Sequence, residues 1–269
     1  MLVLVEATLD ELVLDVSFAA FMGASNLNEW SKRGENRMFR HGVGYVLPYN
    51  VRKVSLKGVW AALLNKSDED TIVLPVGSCE FVQKVATQLE IELPRPLNVP
   101  DSLKPYIGRK TWEVKRFDLD SFPCFVKPLD ELKKFTGFVA KSQDDFSKFY
   151  SDKIESDWNG MLFCSEPIIG EILSEWRCYV HDGKVKNCSN YLGDPLRFPD
   201  KNEIEYLISN YKDAPIGYSL DVAVTEKGTK LIECNDAWAL GYYGGDFVNY
   251  FRIVKERWLE ILRKQIVKV

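Results

Sequence analysis

The amino-acid sequence predicts a mixed α/β (α+β) fold with antiparallel hairpins in its C-terminal half. Apolar segments alternate with a helical pattern in the N-terminal part, hairpin turns follow near residues 182 and 227, and a long amphipathic segment closes the chain. The chain has 269 residues, of which 46% are hydrophobic and 28% charged, so it can bury the core of one large domain or of two smaller ones.

The clearest strand–helix unit of the N-terminal part lies between residues 71 and 89. Residues 71–76 form an apolar run that predicts a strand, and Gly77-Ser78 then opens a helix whose apolar residues recur at helical spacing. Such a turn can hold an anion on its free backbone N–H groups, or it can be a simple turn in which Ser78 caps the helix.

A proline-rich stretch at residues 93–105 is the best candidate for a domain boundary. Proline lacks a backbone N–H and fixes φ, so such a stretch is rarely part of a helix or a central strand. We therefore predict an N-terminal α/β domain at residues 1–108 and a second domain at residues 109–269.

The second half of the chain combines short apolar strands with capped or amphipathic helices. A buried strand ends in Lys127-Pro128, and a lysine-rich loop with Thr136-Gly137 follows it. The other predicted elements are a helix from 142–145 to about 150, a strand at 161–164, strands at 174–181 and 184–191 joined by Asp182-Gly183, a helix from Asp200 to about 211, and a closing helix at 246–268. The closing helix carries Trp258 and can pack internally or against a second copy, so a homodimer is one of two open arrangements.

Residues 218–236 read as two short strands joined by a turn. Polar and apolar residues alternate along the first strand, which is the pattern of a half-buried strand. A three-residue turn at 226–228 ends in Gly228, since glycine tolerates a left-handed backbone. The alternative is an exposed hairpin whose polar face only meets water, and a turn one residue longer would shift the register.

The register of this hairpin places two carboxylates opposite each other. If the hairpin is symmetric about Lys227, Asp221 lies opposite Glu233. Ser219 then lies opposite Asn235. Carboxylates that face each other across a ladder, ~5 Å apart, repel each other, so something positive is needed between them. Because Mg²⁺ accepts oxygen donors of this kind, the sequence predicts a magnesium site formed by Asp221, Glu233 and Asn235.

Composition and charge exclude several classes of function. The net charge of -4 argues against general nucleic-acid or membrane-surface binding, and no apolar run approaches the ~20 residues of a membrane span. The N-terminal residues lack the basic segment of a signal peptide. The six cysteines include no Cys-x-x-Cys pair, which favours reduced, buried thiols in a cytoplasmic protein. With only two histidines, a histidine-rich zinc site is excluded.

Four motifs of the second half occur in a meaningful order. Phe-Val-Lys-Pro at 125–128 precedes Lys-Phe-Thr-Gly at 134–137, and Glu-Trp-Arg at 175–177 precedes Glu-Cys-Asn-Asp at 233–236. This order resembles the ATP-grasp superfamily, and most closely a clade of phage- and bacteria-associated members, over about residues 109–245. The resemblance implies an ATP-grasp fold preceded by a Rossmann-like N-terminal domain, with ATP and Mg²⁺ as cofactors.

The resemblance also implies roles for individual residues. Lys127 would contact the α-phosphate or the adenine, Arg177 would reach the phosphates, and both would act in catalysis. Lys134, Thr136 and Gly137 would form a loop over the phosphates. Lys133 is the alternative to Lys134 in this loop. The resemblance further implies Glu166, Pro167 and Ile168 at the adenine edge, Glu175 at the ribose, and Asp221, Glu233 and Asn235 at Mg²⁺. A further phosphate would be contacted by one of Arg109, Lys110, Lys115 and Arg116, of which we take Arg109. Each could instead be a surface lysine, a solvated loop, a strand end or a cross-strand ion pair.

We expect an ATP-dependent carboxylate–amine ligase that forms an acyl-phosphate intermediate and releases ADP. Its substrates would be small-molecule or peptide carboxylates and amines. The chain offers lysines, an arginine and carboxylates but no conspicuous nucleophile or general base, which suits phosphoryl transfer. The alternatives are a kinase-like phosphotransferase that uses the same ATP site and a non-catalytic nucleotide-binding module. A phosphorylated product without amine dependence would indicate the kinase, and nucleotide binding without turnover would indicate the module.

Overall fold

The computed structural model describes residues 2–6, 37–40, 43–46, 50–54, 63, 72–130, 134–153 and 158–266. The strands are β1 (Leu2–Glu6), β2 (Arg37–Arg40), β3 (Val43–Val46), β4 (Asn50–Val54), β5 (Val73–Val76), β6 (Thr111–Lys115), β7 (Cys124–Pro128), β8 (Phe138–Ala140), β9 (Met161–Ser165), β10 (Ile172–His181), β11 (Lys184–Gly193), β12 (Gly217–Thr225) and β13 (Gly228–Asp236). The helices are α1 (Cys79–Gln88), α2 (Gln143–Lys153), α3 (Lys201–Asn210) and α4 (Phe247–Ile266), with short 3₁₀ turns at Lys104–Tyr106, Arg116–Asp118 and Ala237–Ala239. The strands in this part of the chain form four sheets, and the predicted mixed α/β fold is confirmed.

The N-terminal sheet is parallel, with β1 between β4 and β5. Val3 and Leu4 of the central strand are fully buried. Helix α1 begins just after β5, and the Ser78 hydroxyl accepts a hydrogen bond of 3.2 Å from the Phe81 backbone N–H. The predicted strand and helix are therefore confirmed. Ser78 caps the helix, which is the second of the two alternatives given for this turn.

The second sheet is antiparallel, in the order β6-β9-β7-β8. Burial alternates along β7, because Cys124 and Val126 lie in the apolar core that this sheet shares with α2. Phe125 and Lys127 therefore lie on the opposite face of the strand. This alternation holds the lysine of the Phe-Val-Lys-Pro motif away from the core of its own sheet.

The third sheet is antiparallel, in the order β11-β10-β12-β13. One of its faces is apolar, includes Trp176 and Leu220, and packs with the buried residues of α3. The opposite face carries Arg177 and the other polar side chains that alternate with this apolar set. The predicted hairpin with Asp182-Gly183 in its turn is confirmed, and the φ values of 48° at Asp182 and 65° at Gly183 are those of a type I′ turn.

The β12–β13 hairpin differs from its predicted form in two ways. Thr225 pairs with Gly228, so the turn contains two residues instead of three, and a bulge at Ile232 then restores the predicted register. Asp221 consequently lies opposite Glu233, as predicted. The prediction of a half-buried strand is wrong, because β12 is buried on both faces and Asp221 is only 3% exposed. Its polar face meets other protein groups, which also excludes the exposed hairpin.

Helix α4 closes the chain by packing against the N-terminal sheet. Phe251, Val254 and Trp258 are buried in the same core as the residues of β5. The Trp258 indole N–H donates a hydrogen bond of 2.7 Å to the Val73 carbonyl oxygen. Of the two arrangements open for this helix, the structure therefore shows Trp258 packed internally. Across the described residues, no helix has both the length and the apolar character needed to cross a bilayer.

Two of the six cysteines form a disulfide. Cys178 and Cys188 pair directly across β10 and β11, with their Cα atoms 4.1 Å apart, and their sulfur atoms are bonded. The prediction of reduced thiols is wrong for this pair, because the sequence did not show that the two strands bring these residues into direct register. The other four cysteines are free thiols, as predicted.

Asp200 caps α3, and removing this cap should lower the stability of the fold. Its carboxylate Oδ1 accepts hydrogen bonds from the Asn202 N–H at 2.7 Å and the Glu203 N–H at 3.3 Å. We expect Asp200→Ala to cost about 1 kcal/mol in the free energy of unfolding, measured by urea denaturation. Asp200→Ser, which keeps a capping oxygen, should recover most of the loss. Asp213→Ala removes an exposed aspartate that caps no helix, and an equal loss there would contradict the assignment.

Candidate functional site

A buried ion pair forms the centre of the polar face of the third sheet. Arg177 on β10 lies directly opposite Asp221 on β12. Its Nε donates to Asp221 Oδ1 at 2.8 Å and its Nη2 to Oδ2 at 2.7 Å, so the pair is bidentate. The Ser219 hydroxyl donates to Oδ1 and the Asn235 amide to Oδ2, both at 3.2 Å. Burial raises the pKa of Asp221, and the guanidinium opposes this change.

A second ion pair joins the third sheet to the second. The Lys127 ammonium, from β7, contacts the Glu233 carboxylate of β13 and lies 5.6 Å from the centre of the Phe163 ring. The two charged side chains remain partly accessible, with 19% and 23% of their surfaces exposed. Burial alone would raise the pKa of Glu233, but the ammonium and the Asn235 amide outweigh it and hold this pKa below its usual range.

The opposed carboxylates therefore each have a cation from the protein itself. The predicted need for a positive charge between Asp221 and Glu233 is met by Arg177 and Lys127, so repulsion alone does not require a metal. The donor set nevertheless fits Mg²⁺ in part. Glu233 and Asn235 offer oxygen atoms that are partly accessible, whereas both oxygens of Asp221 are occupied by hydrogen bonds. The described residues contain no cluster of three or more His, Cys, Asp or Glu side chains that could hold a metal.

The Thr136-Gly137 loop lies beside Lys127. A Cβ on Gly137 would stand 2.5 Å from the Phe125 ring and 3.1 Å from the Lys127 Cβ, so only glycine allows the loop to approach β7 this closely. Thr136 is exposed, and Lys134 is half-buried. The structure thus brings the predicted loop residues and the strand lysine together, while the alternative Lys133 lies outside the described residues.

Arg109 contacts the backbone of β13 in the β12–β13 hairpin. Its Nη1 donates to the Leu231 carbonyl oxygen at 2.7 Å and its Nη2 to that of Ile232 at 3.0 Å. These carbonyls flank the bulge of β13, and burial lowers the pKa of Arg109 to about 10. Arg109 therefore fixes the bulge that sets the register of Glu233, and a phosphate contact for Arg109 stays a prediction.

The predicted adenine contacts lie in the segment after β9, and the predicted ribose contact lies on β10, the next strand along the chain. Glu166, Pro167 and Ile168 follow β9, and the Glu166 carboxylate accepts a hydrogen bond of 2.8 Å from the Lys110 backbone N–H. Glu175 is half-buried on the same face as Arg177, two residues along β10, as predicted. Their contacts with a nucleotide stay predictions.

The loop after the β12–β13 hairpin, residues 240–246, is joined to the polar face of the third sheet by hydrogen bonds. The Tyr179 hydroxyl donates to the Gly241 carbonyl oxygen at 2.9 Å and accepts from the Tyr243 N–H at 2.7 Å. Asn187 donates to the Gly244 carbonyl oxygen at 2.8 Å. These hydrogen bonds hold the loop over Arg177, whose guanidinium lies 4.6 Å from the centre of the Tyr243 ring.

Sequence reasoning missed Tyr179, Asn187 and Ser189. They lie on the face of Arg177, because Tyr179 is two residues along β10, Asn187 of β11 pairs with Tyr179, and Ser189 pairs with Arg177 itself. Counting alternate positions along β10 from Arg177 would have found Tyr179. It would not have found Asn187 and Ser189, because a bulge at Lys186 shifts the register of β11 by one residue.

Gly245 allows the loop to reach the sheet, and replacing it should separate the two. Its φ is +96°, and a Cβ would stand 2.0 Å from the Asn187 Nδ2. We expect Gly245→Ala to lower the free energy of unfolding by more than ~1 kcal/mol, measured by urea denaturation. The reason is that alanine is strained at this positive φ and that its Cβ would clash with the Asn187 side chain. Gly183→Ala is the matched control, since its φ is +65° and nothing lies within 4 Å. Equal losses for the two variants would show that the loop contact contributes nothing.

The fold is similar to that of known ligases. The structure of D-alanine–D-alanine ligase from Bacillus anthracis complexed with ATP matches with a TM-score of 0.55 and 15% identity, over 98% of this chain and 99% of that chain. A second structure of this ligase matches with a TM-score of 0.55 and 14% identity, over the same shares of the two chains. L-amino acid ligase from Bacillus licheniformis matches with a TM-score of 0.49 and 11% identity, over 94% of this chain and 71% of that one. No curated protein matches the sequence.

The sequence itself matches a family model over more than half of its length. The match is to the ATP-grasp domain, family 2 of the R-two-K clade, and it covers residues 106–253. This range contains β7 with Lys127, β10 with Arg177 and the β12–β13 hairpin. The predicted resemblance is confirmed, and the chain belongs to family 2 of the R-two-K clade of ATP-grasp domain proteins.

Proposed function

We propose that this protein is an ATP-dependent ligase that joins a carboxylate to an amine through an acyl-phosphate. The observation that carries the proposal is the ion pair between Lys127 of the second sheet and Glu233 of the third sheet. This pair lies next to Asn235 and the buried Arg177–Asp221 pair. Phosphoryl transfer depends on positioning and charge neutralisation, which are what these residues can supply. The ATP-grasp fold supports the use of ATP.

Lys127 is the residue that we propose to bind a phosphate oxygen. Its ammonium is partly accessible and is held by a single carboxylate, Glu233, so an incoming phosphate competes directly for it. Once Lys127 turns to the phosphate, Glu233 loses its partner and can accept a metal together with Asn235. Bound Mg²⁺ would neutralise the charge that develops on the phosphates.

Arg177 is proposed to contact the phosphates through Nη1. Its Nε and Nη2 are occupied by Asp221, whereas Nη1 makes only a long contact of 3.4 Å with the Gly241 carbonyl oxygen. Asp221 therefore acts chiefly by orienting Arg177. We place the adenine at residues 166–168 and the ribose at Glu175, which lies on the same face of β10.

We also infer that the N-terminal residues form a Rossmann-like domain that ends near residue 108. The parallel order β4-β1-β5 followed by α1 supports this inference. The family match begins at residue 106, close to the predicted boundary.

Calorimetric titration tests the nucleotide site, and ADP release tests the reaction. A non-hydrolysable ATP analogue should bind to the wild-type protein with Mg²⁺ and much more weakly without it. ADP release should then require both an acid and an amine. D-alanine is the first compound to screen, because the similar structure with bound ATP is that of a D-alanine–D-alanine ligase, and a panel of other amino acids follows.

Two other outcomes would identify the alternative functions. A phosphorylated acceptor formed without an amine would identify a kinase instead. Binding without turnover across a broad panel would favour a non-catalytic module.

A further inference from the structure

A cavity of about 710 Å³ lies on the apolar face of the third sheet. Its floor is formed by Trp176 of β10 and by Val185 and Cys188 of β11, and its sides by α3 and the segment that precedes α3. Trp176 and Arg177 are consecutive on one strand, so their side chains lie on opposite faces of the sheet. The cavity is therefore separate from the proposed nucleotide site and independent of the proposed function.

Most of the side chains that line this cavity are apolar. They include Trp176, Val185, Phe198, Pro199, Ile204 and Ile208. The rings of Trp176 and Phe198 have their centres 5.2 Å apart. Phe198 is nevertheless 66% exposed and Val185 39% exposed. An apolar group bound in the cavity would remove this surface from water, which favours binding.

The polar side chains of the wall that could meet such a group already have partners. The Trp176 indole N–H donates to Ser174 Oγ at 3.0 Å and to the Arg197 carbonyl oxygen at 2.8 Å. The Ser209 hydroxyl donates to the Tyr206 carbonyl oxygen at 2.9 Å. The part of a ligand that lies inside the cavity is therefore best without polar groups of its own, since these would be buried without partners.

The charged side chains of the wall leave one positive charge without a partner. The Lys201 ammonium lies 3.5 Å from the Glu205 carboxylate, one turn along α3. Lys184 forms no ion pair with another described residue. Asp182, in the turn just before it, does not line the cavity. The wall thus carries an excess of one positive charge, at Lys184.

The cavity is elongated, and Lys184 lies at one of its ends. The lining residues of α3 lie between 201 and 209, which is ~12 Å of helix at 1.5 Å per residue. Trp176 lies near the start of α3, because its indole bonds to the segment before this helix. The Asp182 backbone N–H donates to the Ile216 carbonyl oxygen at 2.8 Å, so the turn before Lys184 lies beside the segment that follows α3. The apolar wall therefore extends from Lys184 along the length of the helix.

We propose that this cavity binds an aliphatic carboxylic acid. Its carboxylate lies at Lys184, and its chain lies along α3 towards Phe198 and Trp176. An extended chain of about ten carbons matches the ~12 Å between the two ends. The volume of about 710 Å³ falls among the ~300–1,000 Å³ of small-ligand sites, and a concave site between a sheet and a helix suits a small ligand. The single charge and the apolar chain of such an acid match the unpaired lysine and the apolar wall.

The length of the chain is the first property to test. Calorimetric titrations use straight-chain fatty acids from hexanoate to tetradecanoate, each below its micelle concentration and without nucleotide. Each added methylene should increase the affinity by about fourfold, because a buried methylene contributes ~0.8 kcal/mol. The increase should stop once the chain has about ten carbons, the length that spans the helix. A steady increase through tetradecanoate would indicate non-specific adsorption, and no binding of any acid would equally overturn the proposal.

Lys184→Gln tests the position of the carboxylate. This variant should weaken the binding of octanoate by about threefold, because the ion pair lies at an exposed site. It should leave the binding of octanol, the neutral counterpart, unchanged. Lys212→Gln is the matched control, since Lys212 is an exposed lysine that does not line the cavity, and it should change neither affinity. The same result for the acid and the alcohol with Lys184→Gln would overturn the assignment of the carboxylate.

Phe198→Ser tests the position of the chain. It should weaken the binding of both octanoate and octanol by about tenfold, because it removes an apolar wall. Phe198 is largely exposed, so the protein should stay folded, as circular dichroism can check. Leu196→Ser is the control, since Leu196 is 78% exposed in the same segment and does not line the cavity. Equal losses for the two variants would show that the chain does not lie in the cavity.

Sedimentation distinguishes a bound acid from a second copy of the chain as the group that covers this wall. The sedimentation coefficient should be the same with and without saturating octanoate. If no acid binds and the wild type forms a dimer that Phe198→Ser abolishes, a second copy covers the wall and the proposal is wrong.

Discussion

Replacing Arg177 with methionine is expected to lower the free energy of unfolding by about 3–5 kcal/mol, because it leaves the Asp221 carboxylate buried without its cation. Asp221 is 3% exposed and Arg177 is 8% exposed, so water cannot take the place of the lost partner. Asp221→Asn should destabilise the protein for the converse reason. Urea denaturation followed by far-ultraviolet circular dichroism measures both losses.

The Arg95–Asp130 pair provides the matched control. Arg95 also forms a bidentate pair, at 2.9 and 3.1 Å, but 70% of its side chain is exposed. Arg95→Met should therefore change the stability little. The double variant Arg177→Met/Asp221→Leu should recover much of the loss, because no buried charge remains. Similar losses for Arg177→Met and Arg95→Met would mean that burial does not decide the contribution of the pair.

Glu233→Gln is expected to act on the reaction rather than on the fold. Glu233 and Lys127 are partly accessible, so the lysine that loses its partner can be hydrated and the stability should change little. The loss of the accessible carboxylate should weaken Mg²⁺-dependent nucleotide binding and reduce turnover by ~10²–10³-fold, as for other groups that stabilise charge in a transition state. Calorimetry with the ATP analogue and ADP release measure the two effects.

Glu226→Gln is the control for this variant, because Glu226 is an exposed carboxylate in the turn of the same hairpin. It should change neither nucleotide binding nor turnover. Full activity of Glu233→Gln would remove Glu233 from the metal site. Equal stability losses for Glu233→Gln and Asp221→Asn would contradict the distinction between an accessible and a buried carboxylate.

Local patterns in the sequence predicted the elements that carry the site. The assumed symmetry of the turn at Lys227 placed Asp221 opposite Glu233, and Asp182-Gly183 predicted the turn of the neighbouring hairpin. The register of that neighbouring hairpin was not predicted, because a bulge shifts it beyond Val180. The prediction of the turn at Gly228 was wrong by one residue, yet the register at Asp221 survived. The reason is the bulge at Ile232, which restores the predicted register. Arg109, from a distant part of the chain, donates hydrogen bonds to the carbonyl oxygens of Leu231 and Ile232 at this bulge.

Contacts between sheets could not be predicted in this way. Lys127 and Glu233 are 106 residues apart, and no local pattern shows that their strands face each other. The same limit applies to the Cys178–Cys188 disulfide. The order of the motifs supplied what periodicity could not, because it identified the fold that brings these strands together.

The loop at residues 240–246, which follows the β12–β13 hairpin, has its shape before any substrate binds. The hydroxyl of Tyr179 bonds with the loop backbone on two sides, and Asn187 holds it at Gly244. The entropy cost of ordering this segment is therefore part of the free energy of folding and not of the free energy of substrate binding. A preorganised loop selects a ligand by the space that it leaves rather than by closing around it. Exchanging the exposed Tyr243, whose ring lies over the Arg177 guanidinium, should thus change which ligands fit beside Arg177 while the loop backbone stays in place.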